Sequence, residues 1–398
     1  MHRCQSCKPP IIPFLQHYNT KINQSSKNPN NRMGSYELDM DVAVPQLSQD
    51  DELYVQVSLV GSAILPLTLK AVLELDVLEI IKKGSASATT KPVMMTAEDI
   101  AAQLPTKNPQ AAAMLDRMLA LLASFDIVSC VIEKKEKVVR RYGPAPIFKL
   151  LTKDEDGSTA ATLSLVGLQQ AFISAGQHLK EAVLEGGIAF EKAHGMKAFE
   201  YIETNPYFRG LFNKAMMESS TFLLKKMLET YQGFKDVHVL VDVGGGVGAA
   251  LGMITSKYTH IKGINLDLPH AIAAAPSLPG VEHVGGNMFD CIPHGDTILL
   301  KYVLHNWSNK HCVKILKNCY DALPNEGKVI IVDIILPVNP DPTTRSKGAF
   351  IMDAMMMTYF GGKERTKIEF ENLAKEAGFT RVETQYFYGE AWIIELRK

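Results

Sequence analysis

The sequence lacks an excess of charge of either sign. Its 42 Lys and Arg residues nearly balance its 43 Asp and Glu residues, which leaves a formal net charge of −1 over 398 residues. A protein that binds nucleic acid usually carries a basic excess, so we predict no nucleic-acid partner. The sequence also lacks any charge-free apolar run of about 18 residues, the length that a membrane-spanning helix needs, so we predict no membrane segment.

Cysteine is scarce as well, with six residues in the whole chain, which is too few for a disulfide scaffold. Cys4 and Cys7 form one Cys-x-x-Cys pair. Neither a second pair nor a suitably spaced histidine completes a zinc site there, so we interpret the pair as incidental. No cluster of histidines and carboxylates shows ligand spacing, and we predict no metal. The remaining cysteines are interpreted as reduced core thiols, which indicates a reducing compartment, the cytoplasm: Cys130, Cys291, Cys312 and Cys319.

The chain is longer than a usual single domain, so we expect at least two domains. Residues 1–32 contain no acidic residue and little hydrophobic periodicity. We expect them to form a disordered extension upstream of a natural start at Met33. A targeting segment is the alternative, although this stretch is rich in Asn rather than Arg-rich and amphipathic.

Residues 33–150 combine helical spacing of apolar residues with a predicted hairpin. Thr96 and Asp99 have the spacing of a capping box, which predicts a helix start. The predicted elements are a helix from Leu53 to Leu67, its continuation over Leu69–Ile81, the helix Ala111–Phe125, and the strands Ile127–Ile132 and Val138–Tyr142. This order is typical of a winged-helix domain. Because the charge is balanced, we interpret it as a structural or dimerising module rather than a DNA-binding one.

Residues 151–235 are predicted to be helical, and residues 236–398 alternate between strands and helices. Phe208, Phe212 and Met216 follow one another at i, i+4 and i+8, which places them on one helix face. The predicted strands are Val237–Val243, Ile261–Leu266, Thr297–Leu300, Lys328–Asp333, Val382–Tyr388 and Ala391–Leu396, and the predicted helices are Gly248–Lys257, Lys310–Leu323 and Lys367–Ala377. This alternation predicts an α/β fold with a doubly wound, Rossmann-like, mainly parallel sheet, where ligands bind beyond the carboxyl ends of the strands.

Three consecutive glycines, Gly244–Gly246, follow the first of these strands. Glycines let the backbone turn sharply into a helix and approach a ligand closely. Asp267 lies 23 residues after Gly244, at the end of the second strand, where a carboxylate can accept both hydroxyls of a ribose. A nicotinamide dinucleotide would also fit such a loop. Asp242 before the glycines and the segment Gly285–Phe289 after the third strand favour S-adenosylmethionine instead.

His305 follows the strand Thr297–Leu300 and therefore lies at the same edge of the sheet. Methyl transfer from a sulfonium is an in-line displacement that depends on alignment. A phenol, with a pKa of about 10, is a poor nucleophile until a base such as a neutral imidazole takes its proton. A carboxylate that holds the ring would help this base, and Asp333 and Glu364 are equally good candidates.

Six segments together resemble the plant caffeic acid-type O-methyltransferases, and the resemblance runs from about Asp51 to the end of the chain. These segments are Glu185–Ile188, Phe199–Tyr201, Leu240–Gly246, Gly263–His270, Pro279–Gly286 and Gly361–Thr366. The resemblance implies a class I methyltransferase fold, S-adenosylmethionine as cofactor, and a homodimer in which the N-terminal domain helps to line the partner's pocket. It implies a small aromatic alcohol as the methyl acceptor.

The resemblance also implies roles for individual residues. Gly244, Asp267, Met288 and Lys301 would contact S-adenosylmethionine, and Asn287 would keep a hydrogen bond to the adenine. His305 would be the base, flanked by Glu364. The side chains that would form the walls of an aromatic pocket are Phe208, Phe212, Met216, Met355 and Met356.

The chain departs from the pattern of that family at several of these positions. Asn287 and Asn306 stand where Asp is usual, Asp333 where Glu is usual, Ser219 where a histidine is typical, and Gly167 and Tyr359 where asparagines are common. These departures favour an acceptor other than caffeic acid: a flavonoid, a coumarin, an alkaloid or a simple phenol. N-methylation of an aromatic amine and a non-catalytic, dimeric ligand sensor remain the alternatives.

Overall fold

The computed structural model describes residues 49–86, 94–134, 138–155, 157 and 159–398. Residues 58–398 form one compact unit. The predicted extension 1–32, with Cys4 and Cys7, lies outside the described residues. Within the described part of the chain, every helix is too short or too polar to cross a membrane.

Helices dominate the described part of the chain up to residue 230. They are α1 Gln49–Val60, α2 Ile64–Glu74, α3 Val77–Ala86, α4 Ala97–Ala101, α5 Ala111–Ser124, α6 Phe148–Leu151, α7 Ala161–Gly167, α8 Gln170–Gly176, α9 Leu179–Glu185, α10 Ala189–His194, α11 Ala198–Thr204 and α12 Pro206–Thr230. Strands β1 Val128–Lys134 and β2 Val138–Pro144 pair in an antiparallel hairpin. The hairpin confirms the sequence prediction.

The start of α4 is the predicted capping box. The Thr96 hydroxyl accepts from the Asp99 N–H at 3.1 Å, and the Asp99 carboxylate accepts from the Thr96 N–H at 2.9 Å. The predicted continuous helix over Leu69–Ile81 is wrong, because α2 ends at Glu74 and α3 begins at Val77. Asp76 between them has a φ of 52°, a left-handed conformation that stops a helix.

The C-terminal part of the chain forms one mixed sheet flanked by helices. Its elements are β3 Val239–Val243, α13 Ala249–Lys257, β4 Lys262–Asp267, α14 Pro269–Ile272, β5 Val281–Gly285, β6 Thr297–Lys301, α15 Asn309–Ala322, β7 Lys328–Leu336, α16 Thr344–Tyr359, β8 Arg365–Thr366, α17 Lys367–Ala377, β9 Arg381–Tyr388 and β10 Ala391–Arg397. The strand order is β5-β4-β3-β6-β7-β10-β9, and β8 pairs with β7. Strands β3 to β7 are mutually parallel, and β10 is antiparallel to both of its neighbours.

The strand order reverses between β3 and β6, so the carboxyl ends of these two strands leave a crevice at the switch point. The central strands are buried on both faces, as their predominantly apolar residues predict. Leu240, Val241, Ile298, Leu300 and Ile331 are at most 1% exposed. This rigid core fixes the strand ends from which the site is built.

Candidate active site

The turn after β3 requires its glycines. Gly244 and Gly246 have φ values of 71° and 59°, which residues with a Cβ rarely adopt. Gly245 has no such φ, but a Cβ there would overlap the side chains of Asn265 and Asp242. The Gly244 N–H donates to the Leu266 carbonyl at 2.8 Å, so the turn lies directly against the end of β4.

Asp267 at the end of β4 is held against this turn. One carboxylate oxygen accepts from the Gly246 N–H at 2.7 Å, and the other accepts from the Leu268 N–H at 2.7 Å. Each carboxylate oxygen can accept more than one hydrogen bond. Asp267 is half-buried and therefore keeps acceptor capacity for a ligand that occupies the crevice.

Beneath the turn lies a buried pair of opposite charges. Asp242 is 1% exposed, and burial raises the pKa of its carboxyl to about 6 although the nearby Lys301 ammonium opposes this. Burial lowers the pKa of Lys301, and the charges of Asp242 and Asp333 oppose that shift. The Lys301 Nζ donates to the Ser220 hydroxyl at 2.8 Å. Asp242 Oδ2 is buried with no hydrogen-bond partner among the described residues, which suits a cationic ligand group.

The segment after β5 is held by its own hydrogen bonds. The Asn287 side-chain oxygen accepts from the Phe289 N–H at 3.1 Å, and the Met288 carbonyl accepts from the Asn318 amide at 2.7 Å. Asn287 is exposed, whereas Met288 is half-buried against the sheet core. Both residues therefore stand at the carboxyl edge where the sequence predicts an adenine contact.

His305 lies in a short 3₁₀ turn, Leu304–Asn306, beyond the end of β6. Its Nδ1 is 2.9 Å from Glu364 Oε1 and 3.6 Å from Asp333 Oδ1, and neither carboxylate side chain is exposed to solvent. Both candidate carboxylates thus face the same nitrogen, and Glu364 makes the hydrogen bond. These three residues show no ligand spacing in the sequence, but the fold brings ligand atoms of all three within 4.8 Å of one another.

The charges of this cluster are strongly coupled. Burial alone would lower the pKa of His305, but the charges of Asp333 and Glu364 outweigh burial and raise it above its ordinary value. Burial raises the pKa of Asp333 to about 7; the His305 charge opposes this shift, whereas Glu364 adds to it. The imidazolium form of His305 is therefore stabilised, as a base that receives a proton requires.

The backbone around His305 is fixed from two sides. Tyr302 has a φ of 52°, and its ring stacks on the His305 ring with centroids 5.4 Å apart and planes inclined by 25°. On the other side the Lys363 N–H donates to the His305 carbonyl at 2.9 Å. A Cβ on Gly362 would overlap that carbonyl oxygen, so only glycine lets the segment approach this closely and bring Glu364 to the imidazole.

The chain matches two family models, an O-methyltransferase domain over residues 177–380 and an O-methyltransferase dimerisation domain over residues 57–154. It is 49% identical to caffeic acid 3-O-methyltransferase 1 of Ocimum basilicum over 359 residues, which cover 89% of this chain and 98% of the relative. It is 48% identical to flavone O-methyltransferase 1 of Triticum aestivum over 371 residues, covering 92% and 100%. The chain belongs to the plant caffeic acid-type O-methyltransferase family. It is an S-adenosylmethionine-dependent O-methyltransferase.

The fold of this O-methyltransferase also agrees with solved structures. CalO1, a methyltransferase of calicheamicin biosynthesis solved with bound S-adenosylhomocysteine, aligns with a TM-score of 0.75 at 22% identity, over 89% of this chain and 100% of CalO1. At this identity the likeness shows the fold alone. It confirms the doubly wound sheet predicted from the alternating strands and helices and the class I methyltransferase fold that the family resemblance implied.

The predicted pocket side chains of the O-methyltransferase differ in their surroundings. Phe208 is 3% exposed and packs edge-on against Phe172, with centroids 5.5 Å apart, and Phe212 lies partly buried in the same cluster. Met216 is 38% exposed, one turn further along α12. The remaining two predicted pocket residues, Met355 and Met356, lie on α16. Met355 is half-buried, and Met356 is 5% exposed and lies next to Gly362. Contact of these five side chains with an acceptor stays a prediction.

Three polar residues that organise the site of the O-methyltransferase were missed by sequence reasoning. They are Ser220, which accepts from Lys301, Asn265, whose amide donates to the Gly246 carbonyl at 2.9 Å, and Arg365, which is fully buried. The only sequence signal for Arg365 is its place directly after Glu364. Ser220 and Asn265 carry no local signal, because each acts on an element distant in the sequence.

Proposed function

We propose that this O-methyltransferase methylates a phenolic hydroxyl of a small aromatic metabolite and that His305 is the general base. The observation that carries the proposal is the 2.9 Å contact between His305 Nδ1 and Glu364 Oε1 at the carboxyl end of β6, beside the glycine turn. S-adenosylmethionine supplies the electrophilic methyl group. A carboxylate at Nδ1 selects the neutral tautomer that carries its proton on Nδ1, which leaves the lone pair on Nε2.

The proton and charge balance follows from this tautomer. The acceptor hydroxyl gives its proton to Nε2 of His305 while its oxygen forms a bond to the methyl carbon. The resulting imidazolium donates its Nδ1–H to Glu364, with Asp333 at 3.6 Å as a second negative charge. No hydrogen bond from Nε2 to another described residue competes with this proton transfer.

Binding of the methyl donor is assigned to the groups around the turn. Gly244 and its neighbours leave room for S-adenosylmethionine to lie against the turn. Asp267 would accept hydrogen bonds from the ribose hydroxyls, and Asp242 Oδ2 would face the ammonium group of the methionine part. Asn287 and Met288 would flank the adenine, and Lys301 would support the same pocket through Asp242. The buried, unpartnered Asp242 Oδ2 supports this fit.

The acceptor class is supported by two observations. The relatives at 48–49% identity are named for caffeic acid and flavone acceptors, both phenolic. The helices α12 and α16 contribute Phe212, Met216 and Met355, none of them fully buried, which suits the faces of a flat ring. We further propose that the chain works as a homodimer, supported by its dimerisation domain, and that it works in the cytoplasm, where the described free cysteines remain reduced.

A panel of acceptors tests the proposal. The purified protein is incubated with S-adenosylmethionine and, separately, hydroxycinnamates, flavones, coumarins, simple phenols and aromatic amines, and products are identified by mass. We expect O-methylated phenols, and no product from the variant His305→Gln. Products from amines alone would replace the proposal by N-methylation, and no product from any acceptor, together with salt-dependent DNA binding, would favour a regulatory protein.

A further inference from the structure

Arg365 is a fully buried cation beside the turn that carries His305. Its side chain is 0% exposed. Nη1 donates to the Leu304 carbonyl at 2.9 Å, and Nη2 donates to the Trp307 carbonyl at 2.6 Å. Nε and Nη2 also donate to the Asn309 side-chain oxygen, each at 3.1 Å. The guanidinium thus bridges the residue before His305 and the residue that follows the turn.

The burial of this guanidinium requires an explanation. A buried cation costs free energy unless it is paired and hydrogen-bonded. The hydrogen-bond partners of Arg365 among the described residues are neutral oxygens, and none of them is a carboxylate. Its hydrogen bonds all go to oxygens of the segment Leu304–Asn309, and its charge acts at longer range on Asp333. The cation is therefore placed to hold this segment.

Three successive residues, 363–365, hydrogen-bond to the Leu304–Asn306 turn and its flanks through different groups. The Lys363 N–H binds the His305 carbonyl at 2.9 Å, the Glu364 carboxylate binds the His305 ring, and Arg365 binds the carbonyls on both flanks. The hydrogen bonds to the carbonyls fix the backbone conformation of residues 304–307, while the hydrogen bond at Nδ1 fixes the rotation of the His305 ring. Together they limit the directions in which Nε2 can point.

We propose that Arg365 is a positioning residue for the base: it fixes the backbone of the Leu304–Asn306 turn so that His305 keeps its orientation in the crevice. The inference rests on the proposed role of His305. The guanidinium places three donor nitrogens in one plane, and each reaches a separate position along the segment. The N–H groups of a lysine all leave a single nitrogen, so a lysine, which keeps the charge, does not replace it. A misplacement of about 1 Å in such a site can cost on the order of 100-fold in rate.

The experiment compares Arg365→Lys and Arg365→Met with Lys367→Ala as the matched control. Lys367 is a cation two residues further along, 54% exposed, whose ion pair with Glu371 lies on the surface. For each variant we measure kcat, KM for the acceptor, the Kd of S-adenosylhomocysteine, the melting temperature and the downfield proton resonance of the His305 Nδ1–H. That resonance is identified by its absence from His305→Gln.

We expect Arg365→Lys to lower kcat by at least about tenfold and Arg365→Met by about 100-fold. The Kd of S-adenosylhomocysteine should stay within a factor of about three, because the glycine turn and Asp267 are not touched. The downfield resonance should shift or broaden in both variants and stay unchanged in Lys367→Ala. A loss of kcat without a loss of cofactor affinity distinguishes positioning from a general loss of folding.

Two results would overturn the inference. One is an Arg365→Lys variant with the kcat and the downfield resonance of the parent. The other is a parallel loss of kcat, cofactor affinity and melting temperature in Arg365→Lys, which would assign the residue to folding alone. His305→Gln is measured alongside, because it separates a failure of the base assignment from a failure of the Arg365 role. If His305→Gln stays active, His305 is not the base. If His305→Gln is inactive while Arg365→Lys keeps full activity, only the role of Arg365 is refuted.

Discussion

The α-carbon of Gly362 lies so close to the carbonyl oxygen of His305 that no Cβ fits between them. We therefore expect Gly362→Ala to displace the His305 turn, lower kcat by at least about tenfold and destabilise the fold by about 1–3 kcal/mol, as overpacking usually does. Steady-state kinetics and urea unfolding measure the two effects. Gly176→Ala is the matched control, because a Cβ at this helical position meets no atom within 4 Å. If Gly362→Ala and Gly176→Ala had equal kcat values, the close approach of Gly362 to the His305 carbonyl would be contradicted.

Replacement of the base itself gives the second prediction. His305→Gln keeps a polar side chain of similar size but cannot take a proton, so kcat should fall by about 10²–10⁴-fold. The Kd of S-adenosylhomocysteine, measured by calorimetry, should remain unchanged because the hydrogen bond of the His305 ring goes to Glu364 and not to a group assigned to the cofactor. The exposed His260, at the opposite edge of the sheet, supplies the control variant His260→Gln. A kcat within about threefold of the parent value would remove His305 from the mechanism.

The pH dependence of kcat has a defined sign. The base works when neutral, so kcat rises with pH through an apparent pKa that belongs to the coupled cluster. Asp333 helps to raise the pKa of His305, against burial, and Asp333→Asn removes that charge. The rising limb of kcat should therefore move to lower pH in Asp333→Asn and stay in place in Asp333→Glu, which keeps the charge. Profiles of kcat from about pH 5 to 9 at saturating cofactor measure this, and a limb that moves upward in Asp333→Asn would show that the sign is wrong.

Cofactor affinity depends on Asp267. Each charge-assisted hydrogen bond contributes about 1.5–3 kcal/mol, so Asp267→Asn should weaken S-adenosylhomocysteine binding by about 10- to 100-fold. Calorimetric titration gives the Kd, and the melting temperature shows whether the turn still folds. Asp290→Asn removes an exposed carboxylate near Asn287 and should bind like the parent. Unchanged affinity in Asp267→Asn would exclude a ribose contact.

Metal removal tests the chemistry of the His305 cluster directly. The three side chains could hold a cation, but a cation at Nδ1 would compete with the hydrogen bond from that nitrogen to Glu364. Turnover should therefore be insensitive to dialysis against EDTA, and added Zn²⁺ should inhibit it by binding the cluster. Elemental analysis of the dialysed protein verifies removal. Activity that disappears with the metal and returns with it would make the cluster a metal site.

The sequence predicted most of the elements that local patterns determine. Helix α17 was predicted with the observed bounds Lys367–Ala377. In the structure Thr366 and Glu369 form a capping box at its start and Gly378 ends it, so both boundaries are set by local residues. Strands β3 and β4 were predicted to within two residues, because apolar runs and glycines mark them. Element order was sufficient to predict the doubly wound sheet, and the family resemblance added the class I methyltransferase fold.

Contacts between distant segments could not be predicted in the same way. His305 and Glu364 are 59 residues apart, and Lys301 and Ser220 are 81 residues apart. Their pairing depends on how α12 and the segment after α16 pack against the sheet, which no local pattern encodes. Reasoning from the residues therefore named Asp333 and Glu364 as two candidates, and only the family resemblance placed Glu364 beside His305. The fold brings both carboxylates to the same nitrogen. The burial of Phe208 against Phe172 has the same origin.

Asp333 lies on a strand whose partner on one side comes much later in the chain. In the sheet, β7 has β6 on one side and β10 on the other, and Trp392 of β10 stands opposite Asp333. The residues assigned to the donor all precede position 302, whereas the strand that completes the sheet beside Asp333 comprises residues 391–397. A chain that ends before residue 391 would therefore contain every donor residue but would leave one edge of β7 without its partner strand.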